Sequence, residues 1–158
     1  MDYSNFNMMI DKRFMSHSYF YKKVIMNWLC YSEKEFENIL IYSSNMELTK
    51  GFLIKVSSEF EDYLEDCIMI TQKEHYGILE IKIKAYFNNK ERDFEITIKP
   101  INRLKLDQMR GLRLSGVILD VGSKNCIENY LDNELITNEL LPCLLIPTDL
   151  DIGLTLYY

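Results

Sequence analysis

The stretch 78–99, ILEIKIKAYFNNKERDFEITIK, decides the fold reading, because two alternating runs flank a pair of asparagines. From Ile78 to Phe87 the odd positions Leu79, Ile81, Ile83, Ala85 and Phe87 are apolar, while Glu80, Lys82 and Lys84 stand between them. From Arg92 to Lys99 the apolar residues are Phe94, Ile96 and Ile98. A period of two places one set of side chains on each face of a strand, so each run reads as a half-buried strand. A two-residue turn at Asn88-Asn89 sets Ile83 opposite Phe94, Ile81 opposite Ile96 and Leu79 opposite Ile98. The same register brings Lys84 to Asp93 and Lys82 to Glu95 on the wet face, where opposite charges favour pairing. A four-residue loop would keep that parity.

Outward from the hairpin, residues 67–72 read as a strand that turns through Glu74-His75-Tyr76-Gly77, and 112–121 as a strand with a bulge at Gly116. Residues 123–141 read as one or two helices built on Ile127, Tyr130, Leu131, Leu135 and Leu140. The end reads as strand over 143–146 and 152–157 with a turn at Pro147-Thr148-Asp149. Towards the amino terminus, Phe20, Val24 and Trp28 recur every four positions and predict a helix over 18–31. Ser32-Glu33-Lys34-Glu35 matches a capping box and predicts a second helix carrying Phe36, Ile39 and Leu40. FLIKVS, 52–57, reads as a strand, and a second capping box at Ser58 and Glu61 opens a predicted helix with Phe60, Tyr63, Leu64 and Cys67 on one side. The expected architecture is α+β: an N-terminal helical pair, an antiparallel meander of about five to six strands, and further helices near the carboxyl terminus, in one domain over 1–158.

The 158 residues include 18 Lys plus Arg against 24 Asp plus Glu, a formal charge of -6. An acidic chain is expected not to bind nucleic acid, whose affinity comes mainly from bases on phosphates. No apolar run reaches the ~20 residues of a membrane helix, so no membrane span is expected. The polar start MDYSNFNMMIDKRFMSH lacks a signal-peptide pattern and points to the cytoplasm. Cys30, Cys67, Cys126 and Cys143 form no CxxC pair and are expected as reduced, buried thiols.

Motifs of chemistry are missing. Six glycines make neither GxGxxG nor GxxxxGK[ST], no GxSxG elbow occurs, and the two histidines, His17 and His75, sit outside any metal-ligand spacing and read as solvated. The expectation is therefore a non-enzyme with no catalytic residue, no metal and no cofactor.

Charge is segregated. Residues 1–50 hold six bases and six acids, 51–110 ten and eleven, and 111–158 two and seven. Acids are interleaved with anchor-type aromatics in two places: Glu59, Glu61, Asp62, Tyr63, Glu65 and Asp66, and then Glu128, Tyr130, Asp132 and Glu134. Segregated charge orients a partner of opposite sign, and tyrosine gives contact area at low entropy cost, so these ten residues are the expected partner-binding set.

In size, acidity and a biased composition with Ala85 as its single alanine, the chain resembles the immunity proteins of bacterial polymorphic-toxin systems, including contact-dependent growth inhibition. That resemblance implies an inhibitor, monomeric when free, whose carboxylates mimic phosphates against a cognate, basic nuclease toxin domain. Two alternatives stand beside it: a secretion chaperone for an effector protein, and a small-ligand-binding or hydrolytic domain.

Overall fold

The computed structural model describes residues 1–158 except 88, 108, 110, 146–149 and 151. In chain order its elements are β1 (Met8–Ile10), α1 (His17–Tyr31), β2 (Phe36–Ser43), α2 (Met46–Tyr63), β3 (Ile68–His75), β4 (Ile78–Phe87), β5 (Lys90–Pro100), β6 (Gly116–Asp120), α3 (Asn133–Leu135) and β7 (Gly153–Tyr157). Short helical turns over 124–129 and 136–143 surround α3. All seven strands join one sheet in the order β1-β7-β6-β2-β5-β4-β3. From β1 to β5 every neighbouring pair is parallel, and only β5-β4 and β4-β3 are antiparallel.

The sheet is therefore mixed and mainly parallel, an α/β architecture, which corrects the expected helical pair and antiparallel meander. The hairpin itself has the register that the alternation sets, with Ile83 opposite Phe94, Ile81 opposite Ile96 and Leu79 opposite Ile98. Lys82 and Lys84 reach Glu95 at 3.5 Å and Asp93 at 4.0 Å. Asn88 of the expected turn lies outside the described residues, and Asn89 has φ 61°. Tyr76 and Gly77, with φ of 50° and 75°, make the tight turn between β3 and β4, a geometry glycine adopts at no steric cost.

The corrections lie on either side of the hairpin. Ser32 ends α1 instead of opening a helix, its amide donating to the Trp28 carbonyl at 3.2 Å. The residues after it form β2, the centre of the parallel sheet. Ile39 and Ile41 enter the core on one face, and Leu40 and Tyr42 the core on the other. A strand buried on both faces shows no alternation, which is why its apolar run passes for a helical stripe. FLIKVS is the middle of α2, whose cap is Asn45, accepting from the Leu48 amide at 3.2 Å. Ser58 is inside that helix and donates back to the Ile54 carbonyl at 2.9 Å.

Gly116 is not a bulge. It pairs with Ile39 on one side and Gly153 on the other, and a Cβ there would stand 2.8 Å from Ile152 Cγ2. Only hydrogen fits between β6 and the residue that leads into β7. Among the described residues of the expected strand over 143–146, Leu144 makes an isolated parallel bridge to Leu114, and residue 146 with the turn at 147–149 lies outside the described residues.

Three layers result. α1 and α2 pack Phe20, Tyr21, Val24, Ile25, Trp28, Leu53, Val56 and Phe60 on one face of the sheet. Ile127, Ile136 and Leu140 from the helical turns, with Leu131 from the segment between them, cover β2, β6 and β7 on the other. Beyond their reach the β3-β4-β5 wing keeps one wet face, as antiparallel sheets can.

Candidate functional site

In open α/β sheets the carboxyl ends of parallel strands are where ligands meet loops. Here those ends bring together Ser43 of β2, Asp120 of β6 and Tyr157 of β7, with Tyr21 of α1, Thr49 in the first turn of α2, and Lys12 from the segment after β1. Asp120 is the hub, and its side chain is only 3% exposed. Its Oδ2 accepts from Tyr21 Oη at 2.6 Å and from Thr49 Oγ1 at 2.9 Å. Its Oδ1 faces Lys12 Nζ at 2.7 Å and His17 Nε2 at 3.4 Å. Ser43 Oγ lies 2.7 Å from Thr49 Oγ1 and accepts from the Asn45 amide at 3.0 Å.

Burial alone would push the Asp120 carboxyl up. Hydrogen bonding by His17 and the charge and hydrogen bond of Lys12 outweigh burial, helped by Tyr21, and hold the group below its ordinary value. Burial and the Asp120 charge raise the Tyr21 phenol well above its own. A charged Asp120 beside neutral hydroxyl donors is the outcome.

His17, expected as solvated, stacks on Phe52 with ring centroids 4.9 Å apart and meets Tyr157 edge-on at 5.1 Å. Asp120 escaped sequence reasoning as well. The available signal was the apolar run Val117-Ile118-Leu119 closing on a single acid, the pattern of a buried strand delivering a carboxylate at its end.

The ten expected partner-binding residues do not converge. Glu59, Glu61, Asp62 and Tyr63 end α2, with Glu65 and Asp66 just beyond, on the side of the first core. Glu59 pairs with Lys22 at 2.9 Å, and Tyr63 is 86% exposed. Glu128, Tyr130, Asp132 and Glu134 belong to the opposite layer, where Tyr130 packs on the second core. Asp132 caps α3 by accepting from the Leu135 amide at 2.8 Å, and Glu128 lies 3.8 Å from the amino terminus. Among the thiols only Cys143 is fully buried, and Cys30 is exposed. Among the described residues no group of three His, Cys, Asp or Glu side chains is gathered as metal ligands, and no helix is long and apolar enough to cross a membrane.

No family model matches the chain, and no curated protein does. Among solved structures, the ATPase domain of the large terminase of Thermus phage P74-26 superposes with a TM-score of 0.53 at 14% identity, covering 98% of this chain and 60% of that one. The fold resembles a phage terminase ATPase domain. An arginine-to-alanine mutant of the same domain gives a TM-score of 0.55 at 13% identity with the same coverage of 98% and 60%. The chain thus spans 60% of the length of these solved chains. Neither neighbour is an immunity protein or a secretion chaperone, so this likeness overturns the reading as an immunity protein of contact-dependent growth inhibition that neutralises a nuclease toxin.

That likeness raises the question of whether this chain's residues fit a nucleotide, as those of an ATPase site do. In such sites a GxxxxGK[ST] loop between strand and helix cradles the phosphates, and an acid on a neighbouring strand serves the Mg²⁺. The matching place is the β2-α2 connection, and it is two residues long, Ser44 and Asn45. Ser44, Thr49, Lys50 and Gly51 keep the motif's spacing with only the lysine matching it. Without the motif's two glycines, whose places Ser44 and Thr49 take, the segment winds directly into α2. Four of its amides are already used, Ser44 donating to the Asp120 carbonyl, Asn45 to Ser43 Oγ, and Leu48 and Thr49 to the Asn45 side chain and carbonyl. Lys50 is bound to Glu74 of β3, and both oxygens of Asp120 have partners. These residues do not fit a nucleoside triphosphate with its metal.

Proposed function

We propose that the chain is a non-hydrolysing protein-binding domain on an ATPase-type sheet, with the polar cluster at the strand ends holding the scaffold together. The observation that carries this reading is Asp120, whose two oxygens are taken by Lys12 with His17 and by Tyr21 with Thr49. A groove between α1 and α2 supplies the contact surface. It is lined by Lys22, Met26, Glu59, Phe60, Tyr63 and Leu64, and continues past Met26 and Leu64 to Lys90 and Arg92. Met26 at 42% and Tyr63 at 86% exposure are anchor-type side chains with charges of both signs beside them, the make-up of a protein contact. Four free thiols, one of them exposed, suit a reducing compartment such as the cytoplasm.

Thermal unfolding with and without Mg²⁺-ATP tests the reading. A ligand that binds only the folded state at 100 times its Kd stabilises by about 2.7 kcal/mol. The expected result is an unchanged midpoint and no phosphate release; a saturable rise or turnover would overturn it.

A further inference from the structure

The groove between α1 and α2 has two unlike ends, which meet at Met26 and Leu64, the residues that line both halves. At one end Tyr63 stands out of the surface at 86% exposure, beside Lys22 and Glu59, which pair at 2.9 Å. Glu61, Asp62, Glu65 and Asp66 flank it in sequence, and none of the four has an ion-pair partner among the described residues. The other end is a cavity of about 860 Å³ walled by Met26, Leu29 and Leu64, with Lys90, Arg92 and one acid, Glu33, at its edge. Arg92 donates to the carbonyls of Leu29, at 3.0 Å, and of Ser32, which fixes its guanidinium against the last turn of α1. Lys90 has no ion-pair partner among the described residues. Ser32 lines the same cavity, and its buried Oγ lacks a hydrogen-bond partner among those residues. One end is thus an acidic knob and the other a basic hole.

We propose that the occupant of the groove is a second copy of this chain, related by a two-fold axis passing between Met26 and Leu64, with each Tyr63 seated in the other copy's cavity. In a two-fold contact the same patch serves both sides, so a knob on one side of the axis and a hole on the other are each used twice and the assembly closes as a dimer. The carboxylates around Tyr63 of one copy then face the basic end of the other, an arrangement of opposite signs that steers encounter and fixes register. Tyrosine suits the hole in two ways. Its ring face attracts cations such as those at the cavity edge, and its hydroxyl, which seeks a partner when buried, meets the unpartnered Ser32 Oγ. A tyrosine buries about 150–250 Å² and covers a similar area of wall, so two of them remove roughly 600–1,000 Å² from water. Met26 and Leu64 at the axis raise this towards the roughly 1,200 Å² at which stable interfaces begin, and a reversible dimer is the consequence. This inference rests on the reading of the groove as a protein contact, and it names the partner.

Sedimentation velocity of the full chain, from micromolar to near-millimolar concentration, reads the association directly. Wild type is expected to move towards twice the mass of one chain as concentration rises. Tyr63→Ala removes the knob at an exposed position and is expected to stay monomeric over the same range. Asp62→Lys and Lys90→Glu each set like charges across the axis and should each weaken association by about tenfold or more. The double variant restores opposite signs and should associate as wild type does. A wild type that stays monomeric throughout overturns the proposal, as does a Tyr63→Ala that associates normally. A double variant no stronger than the single ones would show that the two ends do not meet, and overturns it too. A monomeric wild type blind to Mg²⁺-ATP defeats this inference alone and leaves the groove to a foreign protein, whereas binding of Mg²⁺-ATP defeats the functional reading whatever the mass.

Discussion

Thr49 Oγ1 donates to Asp120 Oδ2 at 2.9 Å, fastening the first turn of α2 to the carboxyl end of β6 across 71 positions of sequence. Tyr21 Oη reaches the same oxygen at 2.6 Å, so both helices of one layer are tied to one buried carboxylate. Hydrogen bonds to charged acceptors in dry surroundings are the strong ones.

Thr49→Val and Tyr21→Phe each remove a donor and should each cost about 1.5–3 kcal/mol, the range for hydrogen bonds to charged groups. Because the two donors share Oδ2, their effects should not add in the double variant. Urea unfolding with an unchanged slope would report both the losses and the coupling.

Acid should act through Asp120. Its carboxyl is held below the ordinary value of 3.8, so its contribution to stability is complete above about that pH and is lost as pH falls through the lower folded-state value. Asp120→Asn lacks this contribution. The stability gap between wild type and Asp120→Asn should therefore be level from neutral pH down to about pH 4 and shrink below it. A gap that widened on acidification would show the carboxyl displaced in the other direction.

Gly116→Ala should destabilise by about 1–3 kcal/mol, the cost of overpacking a filled interior. The new methyl would lie 2.8 Å from Ile152 Cγ2 and 2.9 Å from Ile152 Cβ. Calorimetric unfolding would check it, since a neutral result would show that β6 and the residue before β7 can separate freely.

The end of α2 separates two neighbours on the helix. Phe60→Ala should cost about 3–5 kcal/mol, as for a core aromatic, because Phe60 is 8% exposed. Tyr63→Ala should change stability by no more than about 0.5 kcal/mol, since Tyr63 is 86% exposed. Chemical denaturation of both variants would show whether Tyr63 is free for contact, as the groove reading needs.

The hairpin was legible because Leu79, Ile81 and Ile83 alternate with charges whose partners stand opposite them in the next strand. Its parallel neighbours were not. In β2 both faces are buried, and Ser32-Glu33-Lys34-Glu35 imitates a helix start where the chain is ending one. Ile54 and Val56 gave strand-like character to the middle of α2, but Asn45 caps that helix and the burial of Leu53, Val56 and Phe60 holds it. The pairing of β2 with β6 joins Ile39 to Gly116, a contact no local pattern encodes. The Asp120 cluster was hidden for the same reason, since Lys12, His17, Tyr21, Thr49 and Asp120 are neighbours only once the parallel strands are laid side by side. Tyr63 and Glu59 could be found as exposed residues, but not the groove that Met26 and Leu64 make with them.

As proposed above, the strand-end cluster is a closed piece of scaffold and not a nucleotide site. Amide chemical shifts of isotope-labelled protein titrated with Mg²⁺-ATP test it most directly. Unmoved resonances for Ser43, Ser44, Asn45, Thr49, Asp120 and Gly122 are predicted. Concerted, saturable shifts at those positions would contradict the account.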